Sequence, residues 1–446
     1  MTAPDKTDRL ITAALAATGL LLLGFMGWLQ WYWSGHSMDI DVYWEAGRRM
    51  LGGGANLYLD SEDPANNVGL FIYPPLFAAL FAPLTVFPRW LGYAIWGMAE
   101  LALIVIGLRA ARRLVKVSDG RKSREFYLLM LVGLFGALWT NLQEGQVNML
   151  VVCVLLIGMA QMESQRPLRG GMLLAVATHL KVIPIVLLPI LLVQKRFKAA
   201  AAMAGGIAVL WLVPLLYSVP NYGISEGLQS NVQLASDYRE RIIAPRLDAK
   251  NATGLGGSRA PNNSLTAVMR RYFSDGQKLS QFRHENSPLV TTLPDSVVGY
   301  AGIAIAALLG GLAMLFAWRT RGSRLGRTAV FGLALLSAAL ANLLFWPHHL
   351  CLLLLVLAPL AASCMRAGNA RLILIAVGTA MLLCYVPLLI WTDVFDSMAI
   401  YGTPTLGVLV IWGMAFIHFW RRSVAPEAEP PILPAHEETE PRNSAA

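Results

Sequence analysis

The sequence predicts an all-α integral membrane protein, a polytopic helical bundle, on three observations. Apolar runs of membrane-spanning length recur along the whole chain. Of its 446 residues 56% are hydrophobic and 14% charged, against about 25% charged in soluble proteins. The basic residues sit in short loops between the apolar runs, so the net charge of +9 reads as a topology signal and not as a nucleic-acid footprint. Membrane lipids are therefore the expected surroundings, and no nucleic acid is an expected partner.

Taken in order, the first apolar run, Ile11 to Trp33, follows Lys6 and Arg9 and closes on Trp28, Trp31, Tyr32 and Trp33. It is too long for a signal-peptide core and shows no small-residue cleavage site, so a retained helix with a cytoplasmic N-terminus is expected. Nine further full spans follow at 90–108, 126–140, 147–162, 199–217, 296–317, 328–345, 348–364, 371–391 and 404–420, ten in all. Two segments break the pattern. Residues 74–87, interrupted by Pro83, reach only about 20 Å of the roughly 30 Å hydrocarbon core, which marks a short or re-entrant piece. Residues 171–193 are long enough to cross, yet Lys195, Arg196 and Lys198 follow at once. Thr178-His179-Leu180-Lys181, Pro184 and Pro189 interrupt that run, so two half-length helices that rise and return are expected, with Lys181 near the apex.

Residues 1–423 thus form one transmembrane domain with both termini cytoplasmic and two large extracytoplasmic loops, 34–73 and 218–294. Residues 424–446, rich in Pro and Glu, have the composition of a disordered tail. In the first loop Val42, Ala46, Met50 and Leu51 share a helical face and Glu45, Arg48 and Arg49 face away. That pattern is a helix on the membrane surface, stopped by Gly52-Gly53-Gly54. In the second, Asn263-Ser264 caps an amphipathic stretch with Leu265, Val268, Met269 and Tyr272 on one side. Cys153, Cys351, Cys364 and Cys384 lie in or beside apolar runs without a CxxC spacing and read as small core residues.

The topology gathers polar residues on one face: Asp39, Asp41, Glu144, Gln146, Asn148, Lys181, Asn263, His348 and His349. Two carboxylates after a membrane helix are ordinarily solvated, but these abut the bilayer. A lysine flanked by apolar residues costs about 2.5–3.5 kcal/mol to insert, so Lys181 either snorkels or meets an anion. The His348-His349 pair follows Trp346-Pro347, where the alternative is interfacial packing; Gly145-Gln146 serves equally as a helix-joining turn. Asp39-Ile40-Asp41 looks like a metal-binding DxD, but that use requires a soluble α/β domain, which is not predicted. No metal and no cofactor are expected. The rival class is a secondary transporter or lipid flippase with Lys181 and His179 in a membrane cavity; against it stand the absence of an internal repeat and polar residues at one face instead of the midplane.

Several stretches together resemble bacterial glycosyltransferase family 87. They are Asp39-Ile40-Asp41-Val42-Tyr43-Trp44-Glu45-Ala46-Gly47, a glycine-rich turn with Leu57-Tyr58, and Tyr73-Pro74-Pro75-Leu76. Gly145-Gln146-Val147-Asn148, Gly170-Gly171 with Leu180-Lys181-Val182-Ile183-Pro184, Asn263-Ser264-Leu265 and His348-His349 continue the series. The resemblance implies the GT-C fold and a bacterial inner-membrane glycosyltransferase, similar to polyprenyl-phosphate-mannose-dependent mannosyltransferases that work on the outer face. It implies a polyprenyl-phosphate-linked sugar as donor, a lipid or glycan hydroxyl as acceptor, and a role in glycolipid biosynthesis. The family pattern of Asp, apolar, any residue, Val, Tyr puts the catalytic carboxylate on Asp39. Expected around it are Lys181, His348 and His349 for the donor phosphate, with an arginine of 218–294 as a further helper. Asp41, Tyr43, Gln146, Asn148 and Asn263 are expected to hold sugar or acceptor, and 74–87 with the neighbouring helices to wall a groove for the lipid tail.

Overall fold

The computed structural model describes residues 6–33, 38–59, 69–247, 262–274, 290–342, 344–385 and 401–422. The expected tail at 424–446 and the end of the expected span 371–391 lie outside these residues. In order come α1 (Lys6–Trp33), α2 (Asp39–Leu51), α3 (Pro75–Phe81), α4 (Arg89–Leu114), α5 (Arg121–Glu144), α6 (Asn148–Glu163), α7 (Pro167–Leu180), α8 (Leu187–Val193) and α9 (Phe197–Leu210). Then follow α10 (Leu215–Tyr222), α11 (Ile224–Asp237), α12 (Ala244–Leu247), α13 (Leu265–Phe273), α14 (Asp295–Arg319), α15 (Arg324–Ala341), α16 (Leu354–Arg366), α17 (Arg371–Thr379) and α18 (Thr403–Arg422). Short 3₁₀ turns join them at Ala82–Val86, Ile183–Val186 and Pro347–Leu353. No strand occurs among the described residues.

Seven segments among the described residues are long and apolar enough to cross a membrane: Arg89–Leu114, Arg121–Glu144, Phe197–Tyr222, Asp295–Arg319, Arg324–Ala341, Pro347–Arg366 and Thr403–Arg422. All seven fall on expected spans. α1 is a further apolar helix of 28 residues. α6, at 16 residues, rises only about 24 Å, short of the roughly 30 Å hydrocarbon core. The expected loop from 218 is mostly helical over 218–247 and again at Leu265–Phe273, and the preceding span runs on to Tyr222.

Ion pairs and capping bonds sort the chain into two ends. At the basic end Arg124 pairs with Asp8 at 2.5 Å, Arg366 donates to the Val115 carbonyl at 2.8 Å, and Arg422 donates to the Ser363 hydroxyl at 2.7 Å. Glu163, closing α6, receives Arg196 and Arg327 at 2.5 Å each, with Arg324 at 3.5 Å. The start of α1, the close of α18 and the 112–124, 163–169, 194–198 and 319–327 turns therefore share one end.

The pairing of Arg196 with Glu163 also decides the path of 167–198. The segment leaves the basic end in α7, and Lys181 at its break donates to Asn148, the first residue of α6, at the opposite end (2.6 Å). It is back at the basic end by Arg196. The rise-and-return geometry with Lys181 at the apex is therefore present. Pro184 explains the break: its ring has no N–H and would clash with the Leu180 carbonyl in a continued helix, so α7 stops at Leu180 and Lys181 is extended (φ −158°, ψ 125°).

α2 lies across the other end. Its first residue is Asp39, and Asp41 at the third helical position turns back to accept from the Met38 N–H at 2.8 Å. The expected inward residues Ala46 and Met50 are buried, and Glu45 and Arg49 pair on the outer side at 3.1 Å. A Cβ on Gly47 would come within 2.9 Å of Thr85 Cγ2 and 3.2 Å of Ala82 Cα, so glycine lets α2 rest directly on the 3₁₀ turn below. The segment 75–86 is short, as expected, and stacks Phe77 and Phe81 edge-on against Tyr43.

Ser264 caps α13 by accepting from the Ala267 N–H at 3.2 Å. The expected apolar face of that helix is corrected: Leu265, Ala267, Arg270 and Arg271 are buried, while Val268, Met269 and Tyr272 are half-buried. Arg271 turns inward because its guanidinium donates to the Asn262 carbonyl at 3.1 Å. All four cysteines are buried and unpaired by disulfide.

Candidate active site

One cavity of about 1410 Å³ opens at the end away from the basic loops, and Asp39, Tyr43, Tyr73, Glu144, Gln146, Lys181, His348 and His349 line it. Each comes from a different local device. Asp39 projects from the first turn of α2. Gln146 follows Gly145, which caps α5 in the left-handed region (φ +64°). A side chain there would be strained, and its Cβ would also sit 2.8 Å from Ile40 Cβ. Gly145 thereby brings the 145–148 turn against α2, and Trp96 Nε1 fixes its carbonyl at 2.9 Å.

Gln146 Nε2 donates to the Asp39 carboxylate in a short contact, and Gln146 Oε1 accepts from the Tyr73 hydroxyl at 3.3 Å. The Tyr73 and Tyr43 hydroxyls are 3.1 Å apart. Asp39 is thus held by an amide whose own orientation is set by a tyrosine pair. Burial pushes the Asp39 carboxyl above its ordinary value, and the Gln146 bond and the Lys181 charge pull it part of the way back. A carboxylate held with a raised pKa facing an open cavity has the properties of a general base.

Lys181 lies with its ammonium 5.8 Å from the Tyr73 ring centre and is fixed by the bond to Asn148. The His348 and His349 rings are 4.7 Å apart on the 3₁₀ turn. His349 Nδ1 lies 2.8 Å from the Trp346 N and 3.2 Å from the Trp346 carbonyl, which fixes the ring against its own turn. Away from this polar mouth the cavity is lined by small and apolar residues: Ile183, Val186, Pro189 and Ile190 on one wall, Ala306, Ala307, Gly310 and Ala313 of α14, and Ala334, Ala338 and Ala341 of α15.

Three expected residues stand elsewhere. Asp41 is buried and closed off by Arg89 and Tyr93, both in short contacts with its Oδ1; it does not line the cavity and is no solvated neighbour of Asp39. Asn148 is behind Lys181, accepting from it and donating to Asn141 at 3.0 Å. Asn263 sits outside the lining; its N–H donates to the Phe345 carbonyl at 2.7 Å and its carbonyl accepts from Thr405. It anchors the strand-like approach to the histidine pair. Arg270 and Arg271 do not line the cavity either, and neither does 75–86, whose aromatic side chains are consumed under α2. Tyr73 belongs to the Tyr73-Pro74-Pro75-Leu76 stretch, which gives it no role in the sequence, and Asn141 carries no local mark. Glu100 was overlooked, although a lone acid in an apolar span is a signal in itself. Among the described residues no His, Cys, Asp and Glu cluster could hold a metal ion.

The family model for "Glycosyltransferase family 87" matches residues 71–347, more than half of the chain. The chain belongs to glycosyltransferase family 87. The match begins after α2, so it covers Tyr73, Gln146 and Lys181 but not Asp39. The chain is similar to a polyprenol-phosphate-mannose-dependent alpha-(1-2)-phosphatidylinositol mannoside mannosyltransferase of Mycobacterium tuberculosis. The two are 26% identical over 240 residues, covering 47% of this chain and 53% of that protein. The chain thus spans about half the length of the curated relative it matches. No solved structure matches it.

Proposed function

We propose that this family 87 protein transfers a sugar, with mannose expected, from a polyprenyl-phosphate-linked donor to a hydroxyl of a lipid or glycan acceptor. One observation carries the reading: a held carboxylate and a lysine–histidine cluster share one cavity whose remainder is an apolar corridor. Asp39 takes the proton of the acceptor hydroxyl as its oxygen bonds to the anomeric carbon from the face opposite the phosphate. The C–O bond to phosphate breaks, its electron pair passes to the phosphate oxygen, and the anomeric configuration inverts. Lys181 meets the charge that grows on the leaving polyprenyl phosphate, with His348 and His349 as donors beside it. Gln146 and Tyr43 are placed to contact sugar or acceptor hydroxyls at the same mouth.

The corridor between 183–190, α14 and α15 is the place proposed for the polyprenyl tail, since small side chains on two helices leave room for a chain between them. The basic loops support a cytoplasmic position for their end by the positive-inside rule. The cavity therefore opens on the extracytoplasmic face of the bacterial inner membrane, where the donor's head group and a large acceptor both have access. The mannose-dependent relative supports the choice of donor. The transporter reading loses a partner: His179 bonds the Ile207 carbonyl at 2.8 Å and stacks edge-on with Trp211, away from the cavity.

The test is mass spectrometry of glycolipids from the producing bacterium with and without the gene. The expected result is loss of one glycolipid and build-up of its precursor one hexose lighter. An unchanged glycolipid profile, with the protein shown to be produced in the unmodified cells, would contradict the reading.

A further inference from the structure

Glu100 lies eleven residues along α4 from Arg89, about 16 Å along the helix axis, and is 1% exposed. A carboxylate at such a depth is retained where it has a partner of opposite charge or a task. Among the described residues no ammonium or guanidinium forms an ion pair with it. Its Oε1 accepts from Asn141 Nδ2 at 2.8 Å. Asn141 Oδ1 accepts from Asn148 Nδ2 at 3.0 Å, and Asn148 Oδ1 accepts from Lys181 Nζ at 2.6 Å. Asn141 Nδ2 also donates to the Gln146 carbonyl at 2.9 Å, which fixes the orientation of its amide. Every link therefore points the same way, from the ammonium through two amides to the carboxylate. Asn141 and Asn148 are themselves buried, and in such surroundings each dipole of a hydrogen-bonded chain polarises the next.

We propose that Glu100 is a positioning residue, the remote counter-charge that holds the Lys181 ammonium at the mouth of the cavity through Asn141 and Asn148. The arrangement solves a problem the cavity poses. A carboxylate in direct contact would neutralise Lys181 and compete with an incoming phosphate. One placed two amides away steadies the ammonium and leaves its remaining protons free for the ligand. This inference rests on the proposed phosphate role of Lys181, which the same experiment tests separately.

The experiment is calorimetric binding of farnesyl phosphate to the full chain in lipid nanodiscs, for the wild type, Glu100→Gln, Lys181→Ala and the double variant. Glu100→Gln keeps the acceptor and removes the charge. It is expected to weaken binding roughly tenfold, within the range for residues coupled in one network. In the Lys181→Ala background the same change is expected to have no further effect. Unchanged affinity in Glu100→Gln, or an equal loss in both backgrounds, would overturn the inference. Wild-type affinity in Lys181→Ala would instead overturn the phosphate site on which it rests. If Glu100→Gln does not yield folded protein, Asn148→Leu cuts the chain while sparing the Glu100–Asn141 bond. It is expected to show the same loss, and unaltered affinity in that variant would overturn the inference.

Discussion

Asp39 and Asp41 are two residues apart on one short helix, yet their surroundings assign them opposite tasks. Asp41 accepts from Arg89 and Tyr93 at Oδ1 and from the Met38 N–H at Oδ2, and it does not line the cavity. Among the described residues Asp39 is hydrogen-bonded through its side chain by Gln146, and it lines the open cavity. Its pKa is raised by burial, so the base form is lost earlier on acidification than for an exposed aspartate. Transfer rate is therefore expected to fall as pH drops through a midpoint above 3.8, the ordinary value, and a rate–pH profile in nanodiscs checks it. The stability effect has the opposite sign. A folded-state pKa above the unfolded one means that Asp39 contributes less stability as pH rises through its folded value. Asp39→Asn is thus expected to melt above the wild type at pH 7, measured by thermal unfolding. A lower melting point would show that the buried charge is better solvated than its contacts indicate.

At the scale of the element, the site is assembled by interruptions in helices. Pro184 ends α7 so that Lys181 emerges at the apex, and Gly145 ends α5 so that Gln146 meets α2. Gly145→Ala carries two costs, a strained left-handed residue of about 1–2 kcal/mol and a clash with Ile40. It is expected to lower both the melting temperature and transfer, and Ile40→Ala in the same chain is expected to recover part of the transfer by removing the clash. Recovery to the full wild-type rate would mean that the backbone strain is negligible. These interruptions were legible in the sequence, because Pro, Gly and a charge in an apolar run are strong local marks. The rise and return of 171–193 came from the basic residues that follow it, and the pairing of Arg196 with Glu163 agrees. What was not legible is contact across the sequence. Nothing local says that Arg89 reaches Asp41 over 48 positions, that Asn148 faces Lys181 instead of the cavity, or that Asn263 secures Phe345. The share of the groove expected from 74–87 is absent for the same reason: its apolar residues are visible in the sequence, but not that α2 covers them.

The whole molecule is polarised between a basic end locked by ion pairs and an open end holding the cavity. Glu163 is the centre of the lock, and its removal leaves Arg196, Arg324 and Arg327 facing one another. Glu163→Ala is expected to destabilise the fold by about 3–5 kcal/mol, as for breaking a buried pair, with transfer per folded molecule kept. Thermal unfolding alongside an activity assay separates the two. The polarity also predicts sidedness. All four native cysteines are buried, so a membrane-impermeant thiol reagent added to intact spheroplasts should label Ser225→Cys, near the open end, and not Asp119→Cys, whose native side chain is 91% exposed at the basic end. The reverse pattern would place the cavity in the cytoplasm. The spans, the basic loops and the gathering of polar residues at one end were all readable from hydropathy and charge, which act over whole segments. The central claim is narrower: Asp39 is the base for sugar transfer in this cavity. Its most direct measurement is mannose transfer from polyprenyl-phosphate mannose by the purified protein in nanodiscs, with donor binding followed in parallel, for wild type and Asp39→Asn. The account predicts a fall in transfer of at least about a hundredfold with donor binding unchanged, whereas transfer at the wild-type rate by Asp39→Asn would contradict it.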